Sequence, residues 1–130
     1  MIAFVVDSQS GVPPYLQLVQ QVRQALRLGR LRVGDQLPTV KEVVARVAIN
    51  PNTVLKAYRE LERDQLVQGR PGQGTFVVQG LSGPGPDVFR ELAHDLASWV
   101  QRARAAGLDD EGIQGLMDGA MRPADQAGVA

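Results

Sequence analysis

The sequence predicts a mainly α protein with one small β-hairpin: three helices and the hairpin in residues 1–79, then two helices in residues 87–130. Three observations carry that class. Apolar residues recur at three- and four-residue steps over most of the chain, the period of helices with one buried face. Only one pair of short β-favouring runs occurs, joined by a glycine-rich stretch from Gly69 to Gly74. The eight residues from Gln79 to Pro86 hold three glycines and two prolines, a density that no regular element survives, so residues 80–86 are read as a linker.

Helix one follows Pro13 and Pro14. Its apolar positions are Tyr15, Leu18, Val22 and Ala25 or Leu26, and Gly29 stands where a C-terminal cap belongs. Val33 to Pro38 then reads as a turn. Thr39 opens helix two with a capping box, its hydroxyl facing the N3 amide and Glu42 reaching back to the N-cap amide, while Val40, Val43, Val44 and Val47 share one face. After a three-residue turn, Ala48 to Asn50, helix three begins with Asn50 as N-cap and Pro51 at N1, where a missing amide hydrogen costs nothing. Leu66 to Gln68 and Thr75 to Val78 are the expected strands. Three helices followed by a hairpin make a winged helix-turn-helix. Behind the linker, Phe89, Leu92, Leu96, Trp99 and Ala103 form a heptad-like seam that Gly107 ends. Asp109 caps a last helix with Leu108 and Ile113 as a hydrophobic staple, and Ile113, Leu116, Met117 and Ala120 lie along its apolar side. Gly112, Gly115 and Gly119 each cost that helix about 1 kcal/mol against alanine, so it needs a packing partner.

Composition narrows the chemistry. The chain has no cysteine and a single histidine, His94, which excludes disulfides and thiolate nucleophiles and leaves almost no zinc ligands; no metal and no cofactor are expected. Neither a Gly-x-x-x-x-Gly-Lys loop nor a Gly-x-Gly-x-x-Gly turn after a strand is present, so an enzyme is not expected. Asp109, Asp110 and Glu111 are the acids that a helix dipole favours in a first turn rather than a metal cluster. The start, MIAFVVDSQSG, lacks the basic region and long apolar core of a signal peptide, and nowhere do 18 apolar residues run together, so the expected setting is cytoplasmic and away from membranes. Net charge is zero, yet residues 1–79 hold 10 Lys/Arg against 6 Asp/Glu, and residues 80–130 hold 4 against 8. A basic front half and an acidic rear half suit a nucleic-acid-reading module with a separate appendage.

Helix three carries the chemistry. At 100° per residue, Val54, Ala57, Tyr58 and Leu61 fall on one side and Asn52, Lys56, Arg59 and Arg63 on the other. The first amides of such a helix are expected to be unpaired and its dipole positive, which attracts a phosphate oxygen. Asn50, Asn52 and Thr53 place short hydrogen-bonding side chains in that first turn, within reach of base edges, and a bidentate amide contact to adenine discriminates by about 1–3 kcal/mol. Lys56, Arg59 and Arg63 lean toward phosphates. Arg59 and Arg63 repel each other at i, i+4, which bound phosphate relieves; against this, Glu60, Glu62 and Asp64 stand beside them, as on an ordinary mixed-charge surface. The hairpin tip adds Arg70 and Gln73 among Gly72, Gly74 and Thr75, where glycine permits close backbone approach to a groove.

Over residues 13–79 the sequence resembles the GntR family of bacterial transcription regulators. The resemblance rests on Gly34-Asp-Gln-Leu-Pro-Thr39, Asn50-Pro-Asn-Thr-Val54, Ala57-Tyr-Arg-Glu-Leu61 and Gly72-Gln-Gly-Thr-Phe-Val77. The Asn-Pro-Asn-Thr form and the two-helix tail are similar to its YtrA subfamily. The resemblance implies a dimeric repressor that pairs through the tail by Phe89, Leu92, Leu96, Trp99, Ala103, Ile113, Leu116 and Met117. It also implies DNA contacts from Thr39 and Lys41 at the start of helix two. Departures from the family pattern are Lys41 in place of arginine, Pro51 and Leu55 at positions that often hold arginine, Gln73 in place of a basic residue, and Ala48 in place of a turn glycine. The expected partners are a double-stranded DNA operator and a second copy of the chain, with room for a small-molecule effector of unknown identity. The alternative reading is a winged-helix adaptor whose tail docks on a different protein.

Overall fold

The computed structural model describes residues 2–123, so the tail assigned to residues 87–130 runs beyond the described region. Internal contacts divide the chain into one unit that ends at Phe89 and a second that begins at Arg90.

The first unit is built around one helix. α3 (Pro51–Arg63) packs against α1 (Pro14–Arg27), α2 (Val40–Val47) and β1 (Val67–Arg70). Its apolar row of Val54, Ala57 and Leu61 is wholly buried among Leu18, Val22, Leu37, Val43, Val67 and Val77, and burial of each such side chain contributes about 1.5–3 kcal/mol. α1 ends as expected. Gly29 adopts φ 75°, and the amides of Arg30 and Leu31 return to the Ala25 carbonyl at 2.9 and 3.1 Å. The capping box of α2 is complete: the Glu42 amide donates to Thr39 Oγ1 and the Thr39 amide to Glu42 Oε1, both at 3.1 Å. Of its four valines only Val43 is fully buried. Ala48 caps the C-terminus in the left-handed region, φ 52° and ψ 46°.

The sheet is larger than the sequence suggests. β1 pairs antiparallel with β2 (Gly74–Val77) in a register that sets Val67 opposite Val77 and Arg70 opposite Gly74, so the expected first strand, Leu66 to Gln68, is shifted toward the tip. Pro71, Gly72 and Gln73 alone form the loop. Pro71 stands at the second position of the turn and Gly72, φ 73°, at the third, with the Gln73 amide on the Arg70 carbonyl at 2.9 Å; this is the arrangement of a type II turn, which tightens the tip. The expected turn from Val33 to Pro38 also pairs with β2: the Gly34 amide donates to the Val77 carbonyl, Val77 to Asp35, and Leu37 to Thr75, each at 2.8 Å. The segment that enters α2 is therefore a third strip of the wing.

The N-terminal segment joins the core as well. Phe4 is buried, and two glutamine side chains of α1 hold the backbone around it. Gln17 accepts from the Asp7 amide and donates to the carbonyls of Asp7 and Val12, while Gln21 exchanges two hydrogen bonds with Val5.

The tail comprises α4 (Pro86–Ala105) and α5 (Asp110–Met121). Gly107, φ 101°, ends α4, and the Leu108 amide closes on the Ala103 carbonyl at 3.0 Å. Asp109 caps α5 by accepting from the Gly112 amide at 2.9 Å. Ala103 and Ile113 are buried, but Leu92, Leu96 and Leu116 stay 52–56% exposed.

Candidate nucleic-acid interface

The outward row of α3 is where the periodicity places it. Asn50, Asn52, Lys56, Arg59 and Arg63 are exposed, Thr53 is half-buried, and the row sits directly behind the buried Val54, Ala57, Tyr58 and Leu61. One expectation needs correcting. The first amides of α3 are not free: Pro51 has no amide hydrogen, Asn52 donates to Asn50 Oδ1 at 2.8 Å, and Thr53 donates to the Asn50 carbonyl at 2.9 Å. The Asn50 cap satisfies these donors internally, which leaves the exposed side chains of Asn50 and Asn52 and the half-buried Thr53 as the polar groups of this first turn.

Two of the three acidic neighbours, Glu62 and Asp64, have structural partners. Glu62 accepts from the Gly69 amide at 2.8 Å, which ties the end of α3 to β1, and Asp64 pairs with Arg23 of α1. Both carboxylates thus brace α3 against its neighbours. Tyr58 adds a third brace from beneath, its hydroxyl donating to the Pro38 carbonyl at 2.7 Å in buried surroundings. Burial, and secondarily the Glu42 carboxylate, holds that phenol above its ordinary pKa, so it stays a neutral donor.

Aromatic rings carry two of the cations. Lys56 Nζ lies 4.1 Å from the centre of the Tyr15 ring, and the Arg70 guanidinium lies 4.6 Å from that of Phe76. Such contacts limit where a long cationic side chain can roam while leaving its donors outward. The fold also gathers residues far apart in sequence. Thr39, Arg59, Gly74 and Thr75 line one notch of about 320 Å³ between the start of α2, α3 and the wing, with Leu55 and Glu62. Arg70, Gly72 and Gln73 line an adjoining hollow that Thr39 also borders. Lys41 is exposed on α2 and borders neither.

Three participants escaped the sequence reading. Tyr15 counted only as an apolar position of helix one, Phe76 as a strand residue and Gln36 as part of a turn. Their roles depend on partners 41, 6 and 37 residues away, Lys56, Arg70 and Gln73, so no local pattern could reveal them. Among the described residues no three or more His, Cys, Asp or Glu side chains gather as a metal site, and no helix is long and apolar enough to cross a membrane.

Known proteins resemble the same region. The family of bacterial regulatory proteins named gntR matches residues 14–77. The HTH-type transcriptional repressor YtrA of Bacillus subtilis is 40% identical over 74 residues, which cover 57% of this chain and 57% of that protein, little more than half its length. The HTH-type transcriptional regulator Rv1152 of Mycobacterium tuberculosis is 42% identical over 103 residues, 79% of this chain and 81% of that protein. Among solved structures, a transcriptional antiterminator from Listeria monocytogenes EGD-e shares the fold with a TM-score of 0.59 and 30% identity, over 98% of this chain and 94% of its own.

Proposed function

This chain belongs to the GntR family of bacterial regulatory proteins, and on that footing we propose that it is a DNA-binding transcriptional regulator that acts as a homodimeric repressor at a two-fold symmetric operator. The observation that carries this reading is α3 itself. One row, Asn52, Lys56, Arg59 and Arg63, is exposed, polar and net basic, and the opposite row is locked into the core, so the helix is held rigidly with its polar side offered outward. Asn50, Asn52 and Thr53 read base edges, while Lys56, Arg59, Arg63 and Lys41 take phosphates. Thr39, Arg59 and Thr75 receive the backbone in the notch beside the wing, and Arg70, Gly72, Gln73 and Gly74 follow the adjacent groove.

Pairing is assigned to the tail. Leu92 and Leu96 are more than half exposed along one side of α4, with Phe89 and Trp99 on the same seam, and a second copy of the chain is assigned to cover it. Ala103 and Ile113 are already buried, so they shape the tail, while Leu116 is exposed and Met117 half-buried on α5. We assign the protein no catalytic step and no cofactor, and place it in the bacterial cytoplasm, where chromosomal DNA lies. Binding to DNA from its own upstream region, measured across a salt series, tests the reading: log affinity should fall against log salt with a slope of about −0.9 per phosphate contact. A slope near zero would overturn it.

A further inference from the structure

We propose that Gln36 is the positioning residue of the wing, a side chain that touches no DNA itself but sets where Arg70 and Gln73 meet it; this rests on the reading of the wing tip as a DNA contact. Gln36 lies in the strip between α1 and α2, directly opposite Phe76 of β2. Its Nε2 donates to the Gln73 carbonyl at 3.1 Å, within the three-residue tip. The amide fits there because position 74 is glycine: a Cβ on Gly74, which sits at φ 124°, would collide with that same Nε2.

The geometry couples both tip residues to one strip. Gln73 is held through its carbonyl by Gln36, and Arg70 is held over the ring of Phe76, the residue paired with Gln36 across the ladder. On either side of Gln36 the backbone is fastened to β2, through Leu37 to Thr75 and through Asp35 to Val77. Three residues further on, Thr39 caps α2. The wing tip is thus referenced to the start of α2, and through Tyr58 and Pro38 to α3. Without the Gln36 amide, the turn at Pro71 and Gly72 loses its side-chain tie to the strip, so the hydrogen bond from the Gln73 amide to the Arg70 carbonyl opens more often.

Gln36→Met tests this, since methionine keeps length and neutrality and cannot donate. The probe is a labelled duplex selected from random sequence by the native protein. The expected result is about three- to tenfold weaker binding, the scale of one hydrogen bond converted at tenfold per 1.4 kcal/mol. In an Arg70→Ala/Gln73→Ala background the same change should be nearly silent, because there is no tip left to position. Hydrogen exchange in the free protein supplies a readout independent of DNA: the Gln73 amide should exchange faster in Gln36→Met while amides of α3 keep their protection. Affinity unchanged within about twofold, or an equal loss in both backgrounds, overturns the proposal. Unchanged exchange at Gln73 overturns it too. If the native protein selects no duplex, the DNA-contact reading fails instead, and the exchange experiment still judges the brace.

Discussion

Tyr58→Phe deletes one oxygen and leaves the ring in place. That oxygen donates to the Pro38 carbonyl at 2.7 Å, and its removal leaves a buried acceptor without a donor, a cost of about 1–3 kcal/mol. For a unit that ends at Phe89, each kcal/mol is worth about 4–8 °C in Tm, so a drop of roughly 4–24 °C is expected. The effect should also depend on pH. Burial and Glu42 raise the phenol above its ordinary 10.0, so the folded state keeps a proton that the unfolded chain releases. The native protein's extra stability is therefore complete below about pH 10 and is lost as pH rises beyond it, at up to about 1.4 kcal/mol per pH unit. Tyr58→Phe lacks this term. Urea unfolding followed by circular dichroism should show a gap between the two proteins that is constant from about pH 7 to 9.5 and shrinks toward pH 11. No gap near neutral pH, or a gap that stays constant or widens through the alkaline range, would refute the reasoning.

Asn52→Ala should cost about 1–3 kcal/mol of affinity and relax the base preference at one operator position, which repeated duplex selection would reveal. Lys56→Ala should weaken binding to all sequences alike and flatten the salt slope by about 0.9. Ala48→Gly removes a Cβ from a left-handed residue at φ 52° and should raise stability by about 0.5–1 kcal/mol in denaturant melts; a loss would show that the cap is unstrained. Leu96→Glu places a charge on the exposed seam of α4 and should convert a dimer to a monomer in light scattering without changing the circular dichroism spectrum.

Legibility followed the range of the interaction. Features set within four residues were readable: the Thr39–Glu42 box, Asn50 and Pro51 at the start of α3, the two rows of that helix, and glycine at position 29. Features that need a distant partner were not. Nothing near Phe4 announces that Gln17 and Gln21 will hold its backbone, so an apolar start reads only as a failed signal peptide. The strip around Gln36 has no strand-like alternation because its ladder partner is supplied from β2, some 40 residues on. The free amides expected at the start of α3 were misjudged for the opposite reason. Asn50 serves two purposes, and its capping role consumes donors that the dipole picture had left for a phosphate.

The linkage from the wing through the Gly34–Leu37 strip to Thr39, and from β1 through Glu62 to α3, leaves the two prongs of the domain with one fixed gap between them. A gauge of that kind measures whatever is placed in it. A duplex whose groove does not match the gap must itself flex to enter, so stretches that compress or kink cheaply gain an advantage even at base pairs no side chain reaches. Operator choice would then record mechanical compliance of the nucleic acid as well as its chemical lettering.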